Sequence, residues 1–131
     1  MDLHYGFHDS CVKELKYISG AYGDEDWMHV INNLRILKVV FHGRFKNSDV
    51  IEMEFIGLKY IKMYPTDEKY TCEIFDATMI LKEDCIFWCD EGGMSEDDLG
   101  SYEGTLICAS KVRWRAIYDC IGQSEFYLSR T

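Results

Sequence analysis

The chain has 131 residues, of which 47% are apolar and 15% aromatic, a composition that predicts one globular domain spanning residues 1–131 and argues against disorder. The net charge of −9 is uneven, since residues 1–65 carry eight Lys and Arg against nine Asp and Glu, whereas residues 66–131 carry six against fourteen. This balance argues against nucleic-acid binding through a basic patch and favours a basic protein partner for the acidic half.

The first half of the chain follows mainly a period of two, which is typical of strands. Residues 11–19 predict a first strand that ends at Gly20. Residues 20–34 are the exception, because Trp27, Val30, Ile31 and Leu34 have helical spacing and predict one short helix. Residues 35–45 and 51–55 alternate between apolar and polar side chains, and the turn-like KNSD at 46–49 predicts that they form a hairpin. A further apolar run, 57–65, ends at Pro65.

The second half predicts another hairpin, from residues 70–81 and 85–90, around a turn at 82–84. Residues 91–104 are rich in glycine and acids and predict a surface loop or a brief helical turn. Residues 105–116 predict the last long strand, although a helix over 111–121 is an alternative. The tail at 125–129 is a candidate edge strand.

These seven or eight strands have short connections, which imply antiparallel pairing. We therefore expect an all-β, mainly antiparallel fold, either a β-sandwich or a partly open barrel, with one short helix.

The run GFHDSC at residues 6–11 contains the residue types of a serine-hydrolase triad, in His8, Asp9 and Ser10. Neighbouring side chains on a strand point to opposite faces, so these three residues cannot form a triad among themselves. The nucleophile signature G-x-S-x-G is also absent from the sequence. We expect Asp9 or Ser10 to bond the backbone at the start of a strand. His8, Asp9 and Ser10 stay catalytic candidates, since either His8, as a general base, or Ser10 could act with distant partners.

The sequence gives little support for a metal or a cofactor. His4 and His8, like Cys85 and Cys89, are four positions apart, a spacing that brings ligands together on a helix but about 13 Å apart on a strand. No CxxC, HExxH, EF-hand or phosphate-binding signature occurs. We expect no cofactor, and we expect most of the six cysteines to be reduced residues of the core. Those cysteines are Cys11, Cys72, Cys85, Cys89, Cys108 and Cys120.

The strongest candidate for a binding surface is the acidic stretch around residues 90–103. Acids can steer a basic partner, and the aromatic or apolar side chains between them can anchor it. An ordinary charged loop whose aromatic side chains turn inward is the alternative. The predicted partner-binding residues are Trp88, Asp90, Glu91, Glu96, Asp97, Asp98, Tyr102 and Glu103.

Three segments together carry a family resemblance: FHDSCVKELKY, CEIFDATMILKEDCIFWCD and GTLICASKVRWR. They resemble small, poorly characterised bacterial β-rich proteins that begin on a His-Asp-Ser strand. Some of these proteins are similar to immunity proteins, which bind and neutralise a toxin. The resemblance implies a toxin-like basic partner and no catalytic residue set, with His8 and Asp9 as family markers.

The sequence therefore predicts a non-catalytic binding protein with an acidic surface, and the resemblance implies a protein of the immunity type. No stretch reaches the roughly 18 uncharged apolar residues of a membrane span, and MDLHYGFHDS lacks the pattern of a signal peptide, so we expect a cytoplasmic protein without membrane contacts. Two alternatives are a small enzyme that uses His8 as a general base and an oligomeric domain whose strand edges pair between chains.

Overall fold

The computed structural model describes residues 10–25, 29–43, 50–72, 74 and 76–117. Within these ranges it has eight strands and one short helix, and all strand pairs are antiparallel. The all-β prediction is confirmed. The elements in chain order are β1 (Ser10–Ile18), β2 (Tyr22–Gly23), β3 (Val30–Ile31), β4 (Ile36–Gly43), β5 (Val50–Lys62), β6 (Thr78–Leu81), β7 (Ile86–Cys89), α1 (Glu96–Leu99) and β8 (Leu106–Ile117).

Six strands form the main sheet in the order β1-β4-β5-β8-β7-β6, and β2 pairs with β3 in a separate two-stranded sheet. The long strand β5 sets the pattern of the main sheet. Its Ile51, Met53 and Phe55 are buried, while Glu52 and Glu54 between them lie on the other face. The principal core therefore lies on one face of the sheet, where buried side chains of β4, β5, β7 and β8 pack together.

The sheet is strongly curved. Strands β4 and β7 are three positions apart in the sheet, which would separate them by roughly 14 Å if it were flat. However, the rings of Phe41 on β4 and Trp88 on β7 have centroids only 5.2 Å apart. Edge strand β1 also contacts the segment that leads into the other edge strand, β6, because Ile74 N–H donates to the Ser10 carbonyl at 2.6 Å in an isolated antiparallel bridge. The fold is thus a partly open barrel, one of the two predicted architectures.

Acids on the outer face of β5 are matched by bases on its neighbouring strands. Glu54 accepts from Arg113 at 2.5 Å and lies 3.7 Å from the Lys38 ammonium, while Glu52 lies 3.1 Å from Arg115. These pairs follow the strand register, in which Glu54 and Glu52 stand opposite Arg113 and Arg115. Negative charge on this part of the sheet is therefore compensated within the protein.

The predicted helix at residues 20–34 is wrong. Val30 and Ile31 form β3 and pair with Tyr22 and Gly23 of β2. The described residues of the proposed helical stripe are not buried, since Val30 is 66%, Ile31 43% and Leu34 47% exposed. Without a surface to cover, their spacing has no packing to stabilise a helix. Trp27 lies outside the described residues.

The other predicted elements agree with the structure in type, with shifted bounds. The two predicted runs 51–55 and 57–65 form the single strand β5, and β8 confirms a strand rather than a helix through residue 116. The second hairpin is confirmed, but its first strand begins at Thr78 rather than near residue 70. The turn at 46–49 and the tail at 125–129 lie outside the described residues.

The cysteine prediction holds for three buried residues, Cys85, Cys89 and Cys108. It is wrong for Cys72, which is exposed in the irregular segment before β6, because that segment crosses the surface instead of continuing a core strand. Cys11 is half-buried on β1, and Cys120 lies outside the described residues.

Candidate functional site

Of the three residues His8, Asp9 and Ser10, only Ser10 lies in the part of the chain that the structure describes. It is only 6% exposed at the start of β1, where its carbonyl accepts from Ile74. A buried serine in this position joins β1 to the segment before β6 and is not accessible to a substrate. His8 and Asp9 lie outside the described residues, so a general base at His8 stays a prediction.

The acidic stretch folds onto the sheet as an ordered layer. Leu99 of α1 is buried against Cys89 and Leu106, on the face of the sheet opposite the principal core. Three polar contacts also fasten the stretch: Thr78 Oγ1 donates to the Glu91 carbonyl at 2.6 Å, Lys62 Nζ donates to the Tyr102 carbonyl at 2.7 Å, and Lys82 Nζ pairs with Glu96 at 2.6 Å. The predicted helical turn within this stretch is confirmed as α1.

The start of α1 is fixed by an acid–serine cap. The Asp98 carboxylate accepts from the Ser95 N–H at 2.9 Å and from the Ser95 hydroxyl at 2.8 Å. These hydrogen bonds hold the pKa of Asp98 below its usual value, because they stabilise the ionised carboxylate. Asp98 therefore remains charged while it holds the helix in place.

Asp90 is the best-anchored acid of the stretch. Its Oδ1 accepts from the Tyr102 hydroxyl and from the Thr105 N–H, the latter at 3.2 Å. Burial and the hydrogen bond to Asp90 raise the pKa of the Tyr102 hydroxyl far above its usual value. The chain passes close to this pair at Gly104, where a Cβ atom would collide with the Tyr102 ring and hydroxyl. Asp90 is thus held in a fixed orientation.

These residues surround a wide cavity of about 950 Å³, which we call the acidic cavity. Its described lining includes the carboxylates of five residues and no Lys or Arg: Asp76, Asp90, Glu91, Asp98 and Glu103. Five like charges around one cavity repel each other, and the energy of that repulsion falls when a cation approaches.

A second, smaller cavity of about 270 Å³ lies inside the barrel beside the acidic one, and we call it the apolar cavity. Apolar side chains of β1, β7 and β8, together with residues 63–66 of the segment after β5, supply most of its lining. The two cavities share four lining residues: Thr66, Cys72, Ile74 and Asp90.

Of the predicted partner-binding residues, five line the acidic cavity: Asp90, Glu91, Asp98, Tyr102 and Glu103. Asp97 is exposed beside the cavity without lining it, and the Glu96 charge is paired with Lys82. Trp88 is completely buried in the principal core, so it is not the surface anchor that was predicted, and it lines the apolar cavity instead. Its position in β7 turns it to the inner face, while Phe87 and Cys89 face the α1 layer.

Sequence reasoning missed the contribution of the segment before β6. Asp76, Thr66, Cys72 and Ile74 line the acidic cavity because this segment crosses from β5 to the start of β1. The net charge of the second half was the one available signal for Asp76. The meeting of Cys72 and Ile74 with the acidic stretch depends on long-range folding, which leaves no local pattern.

The described residues contain no group of three or more His, Cys, Asp or Glu side chains arranged to hold a metal ion. In the same part of the chain, no helix has the length and apolar character needed to cross a membrane.

Searches of protein-family models, curated proteins and solved structures find no significant match to this chain.

Proposed function

We propose that this protein is a non-catalytic binding protein of the cytoplasm that holds a basic protein partner against its acidic cavity. The observation that supports the proposal is the set of five carboxylates around that cavity without a lining Lys or Arg. On the outer face of β5, by contrast, Glu52 and Glu54 are matched by arginines of β8. Uncompensated charge of one sign favours a partner of the other sign and accelerates its association.

The partner class that we propose is a toxin-like protein, in keeping with the resemblance to immunity proteins. An immunity protein acts by binding and needs no catalytic residues. The cavity suits this role, because Asp90 and Asp98 are already fixed by hydrogen bonds and lose little freedom when a partner binds.

A charge-reversal pair tests the acidic cavity. Glu91 and Glu103 are both exposed and line it, so Glu91→Lys with Glu103→Lys should weaken binding of a fluorescent Lys-Lys-Ala-Lys-Lys peptide by about tenfold at low ionic strength. The matched control is Glu25→Lys with Glu83→Lys, two exposed acids outside the cavity that give the same change in net charge. Anisotropy titrations measure both, and equal weakening in the two variants would contradict a localised site.

The immunity role is tested in the native genome. We expect a gene for a secreted toxin beside the gene for this protein, and co-expression of the two should restore growth of a host that the toxin alone kills. The variant Glu91→Lys with Glu103→Lys should abolish this rescue, whereas the control Glu25→Lys with Glu83→Lys should keep it. Neighbouring genes without any toxin, or rescue that survives the cavity reversal, would count against this role.

A further inference from the structure

The acidic and apolar cavities adjoin each other beside the bridge between Ile74 and Ser10. Their shared lining residues, Thr66, Cys72, Ile74 and Asp90, belong to the crossing segment and to the start of the acidic stretch. A group that enters the apolar cavity from this side therefore passes directly beside carboxylates.

The apolar cavity has room for a large side chain, since its volume is about 270 Å³. Val12 and Leu15 of β1 and Ile107 of β8 are among the side chains that line it. A leucine or phenylalanine side chain would displace water that makes few hydrogen bonds there, and it would contact these apolar walls.

The rim of the apolar cavity is itself apolar and accessible. Met63 and Tyr64 line it and are 50% and 54% exposed, and both precede Pro65. Large apolar side chains that remain exposed beside a cavity are typical of the edge of a binding site. On the other side of the rim, Asp90 carries a charge that is fixed by Tyr102 and Thr105.

We propose that the two cavities form one composite site for a basic segment of the partner protein, which inserts a large apolar side chain into the apolar cavity and lays flanking Lys or Arg side chains over the acidic cavity. This inference rests on the proposed function and adds the chemistry of the recognised segment. Charge complementarity selects this occupant, since a second copy of the chain carries a net charge of −9 and would be repelled.

The experiment compares two peptides on the full chain: Lys-Lys-Ala-Lys-Lys and Lys-Lys-Leu-Lys-Lys, both labelled with fluorescein. The wild-type protein should bind the leucine peptide about tenfold more tightly, because only its central side chain fills the apolar cavity. Val12→Phe fills that cavity from β1 and should reduce this preference to less than about twofold, while binding of the alanine peptide is retained.

Two further variants keep the test independent of folding. Val30→Phe adds the same phenyl ring on β3, where Val30 is 66% exposed and lines neither cavity, and should keep the leucine preference. Leu15→Phe fills the apolar cavity from a second position and replaces Val12→Phe if that variant does not fold. Loss of the preference in the filled variant that folds supports the composite site, and an unchanged preference in that variant overturns it.

The outcomes also separate this inference from the proposed function. If the wild-type protein binds both peptides with equal affinity and the variant Glu91→Lys with Glu103→Lys binds both more weakly, the composite site is overturned. The acidic cavity would then bind basic partners by charge alone. Failure of the alanine peptide to respond to that reversal would contradict the proposed function itself. If neutral N-acetyl-leucinamide binds as tightly as the leucine peptide, the occupant is a small molecule and the inference is wrong. If light scattering shows a wild-type dimer that Val12→Phe dissociates, the occupant is a second copy of the chain and the inference is also wrong.

Discussion

At the scale of single residues, burial determines which aromatic side chains support the fold. Trp88 is fully buried against Phe41, whereas Trp114 is 44% exposed on β8. The alternating pattern of β7 did not reveal this difference, because period two separates two faces without showing which face is the core and which is covered by α1.

We predict that Trp88→Ala lowers the free energy of unfolding by about 3–5 kcal/mol, since it removes a buried indole and leaves a cavity in the centre of the barrel. Trp114→Ala, the matched control, should cost less than about half as much because its side chain is partly in water. Urea denaturation measures both values, and equal losses would show that Trp88 does not hold the core.

The cap of α1 gives a second prediction at this scale. Ser95→Ala removes one of the hydrogen bonds that Asp98 accepts, so the pKa of Asp98 should rise towards its usual value. Ser101→Ala is the control, because the Ser101 hydroxyl bonds the Asp98 carbonyl and not its carboxylate. NMR titration of the Asp98 side chain measures the pKa in each variant.

The sign of the resulting pH dependence follows from the same contact. The pKa of Asp98 is lowered in the folded state, so the cap stabilises α1 above the ordinary carboxyl pKa and is lost as the pH falls through the lowered value. Loosening of α1 on acidification should therefore begin at a higher pH in Ser95→Ala than in the wild-type protein. The opposite order would contradict the cap.

At the scale of elements, β5 bends where its register with β8 shifts, between Leu58 and Tyr60. Gly57 precedes this irregularity with a φ of +67°, and a Cβ atom there would lie 2.9 Å from Ser110 Oγ. A side chain at Gly57 would thus be strained by its backbone and obstructed by β8.

We expect Gly57→Ala to destabilise the fold by roughly 2 kcal/mol or more. Gly93→Ala isolates the backbone part of the effect, since Gly93 has a φ of +69° and open space around its Cβ position, and should cost about 1 kcal/mol. Gly100→Ala has neither problem and should change stability by less than about 1 kcal/mol in either direction. Thermal unfolding of the three variants should give this order, and a Gly57→Ala protein as stable as Gly100→Ala would be incompatible with the bend.

Strands could be predicted from the sequence where one face is buried and the other is polar. In β5, Met53 and Phe55 alternate with Glu52 and Glu54, and the same alternation defines β8 through Arg113 and Arg115. The helix predicted around Val30 does not form, because helical spacing of apolar residues indicates a helix only where a surface exists to bury them.

The candidate site was predictable only in part. Glu91 and Glu103 could be selected from local charge, and both line the acidic cavity. The apolar cavity could not be predicted, because Val12 and Ile107 are brought together by the curvature of the whole sheet.

At the scale of the whole molecule, the weakest closure of the barrel is the contact between β1 and the segment before β6. Among the described residues these two ends share a single bridge, Ser10 to Ile74. Next to it, the pKa of the Cys11 thiol is raised mainly by burial and, after that, by the neighbouring Cys72. Cys72 is exposed, so an oxidant can reach the pair.

We predict that oxidised glutathione joins Cys11 and Cys72, with the two thiols losing two protons and two electrons and the glutathione disulfide being reduced to two thiols. The bond should stabilise the fold by about 3–4 kcal/mol, because it closes a long loop in the unfolded chain. Mass spectrometry of peptides identifies the bond, and urea unfolding with and without dithiothreitol measures the gain.

Cys72→Ser is the control and should show no gain on oxidation. Cys85 and Cys108 are also neighbours, since Cys85 raises the pKa of Cys108, but both are buried and should react later. Preferential formation of a Cys85–Cys108 bond would show that the barrel opens elsewhere.

The position of β8 has a consequence for how the chain is made. β8 lies between β5 and β7 although it follows both in chain order, and pairs such as Val50 with Ile117 join residues 67 positions apart. During synthesis, β1-β4-β5 and β6-β7 therefore emerge from the ribosome as two separate groups. One edge of β5 and one edge of β7 stay unpaired until β8 has been synthesised. Such edges attract other nascent chains, and late, long-range pairing folds slowly. The interval before β8 emerges is thus when this protein is most exposed to aggregation and most dependent on chaperones.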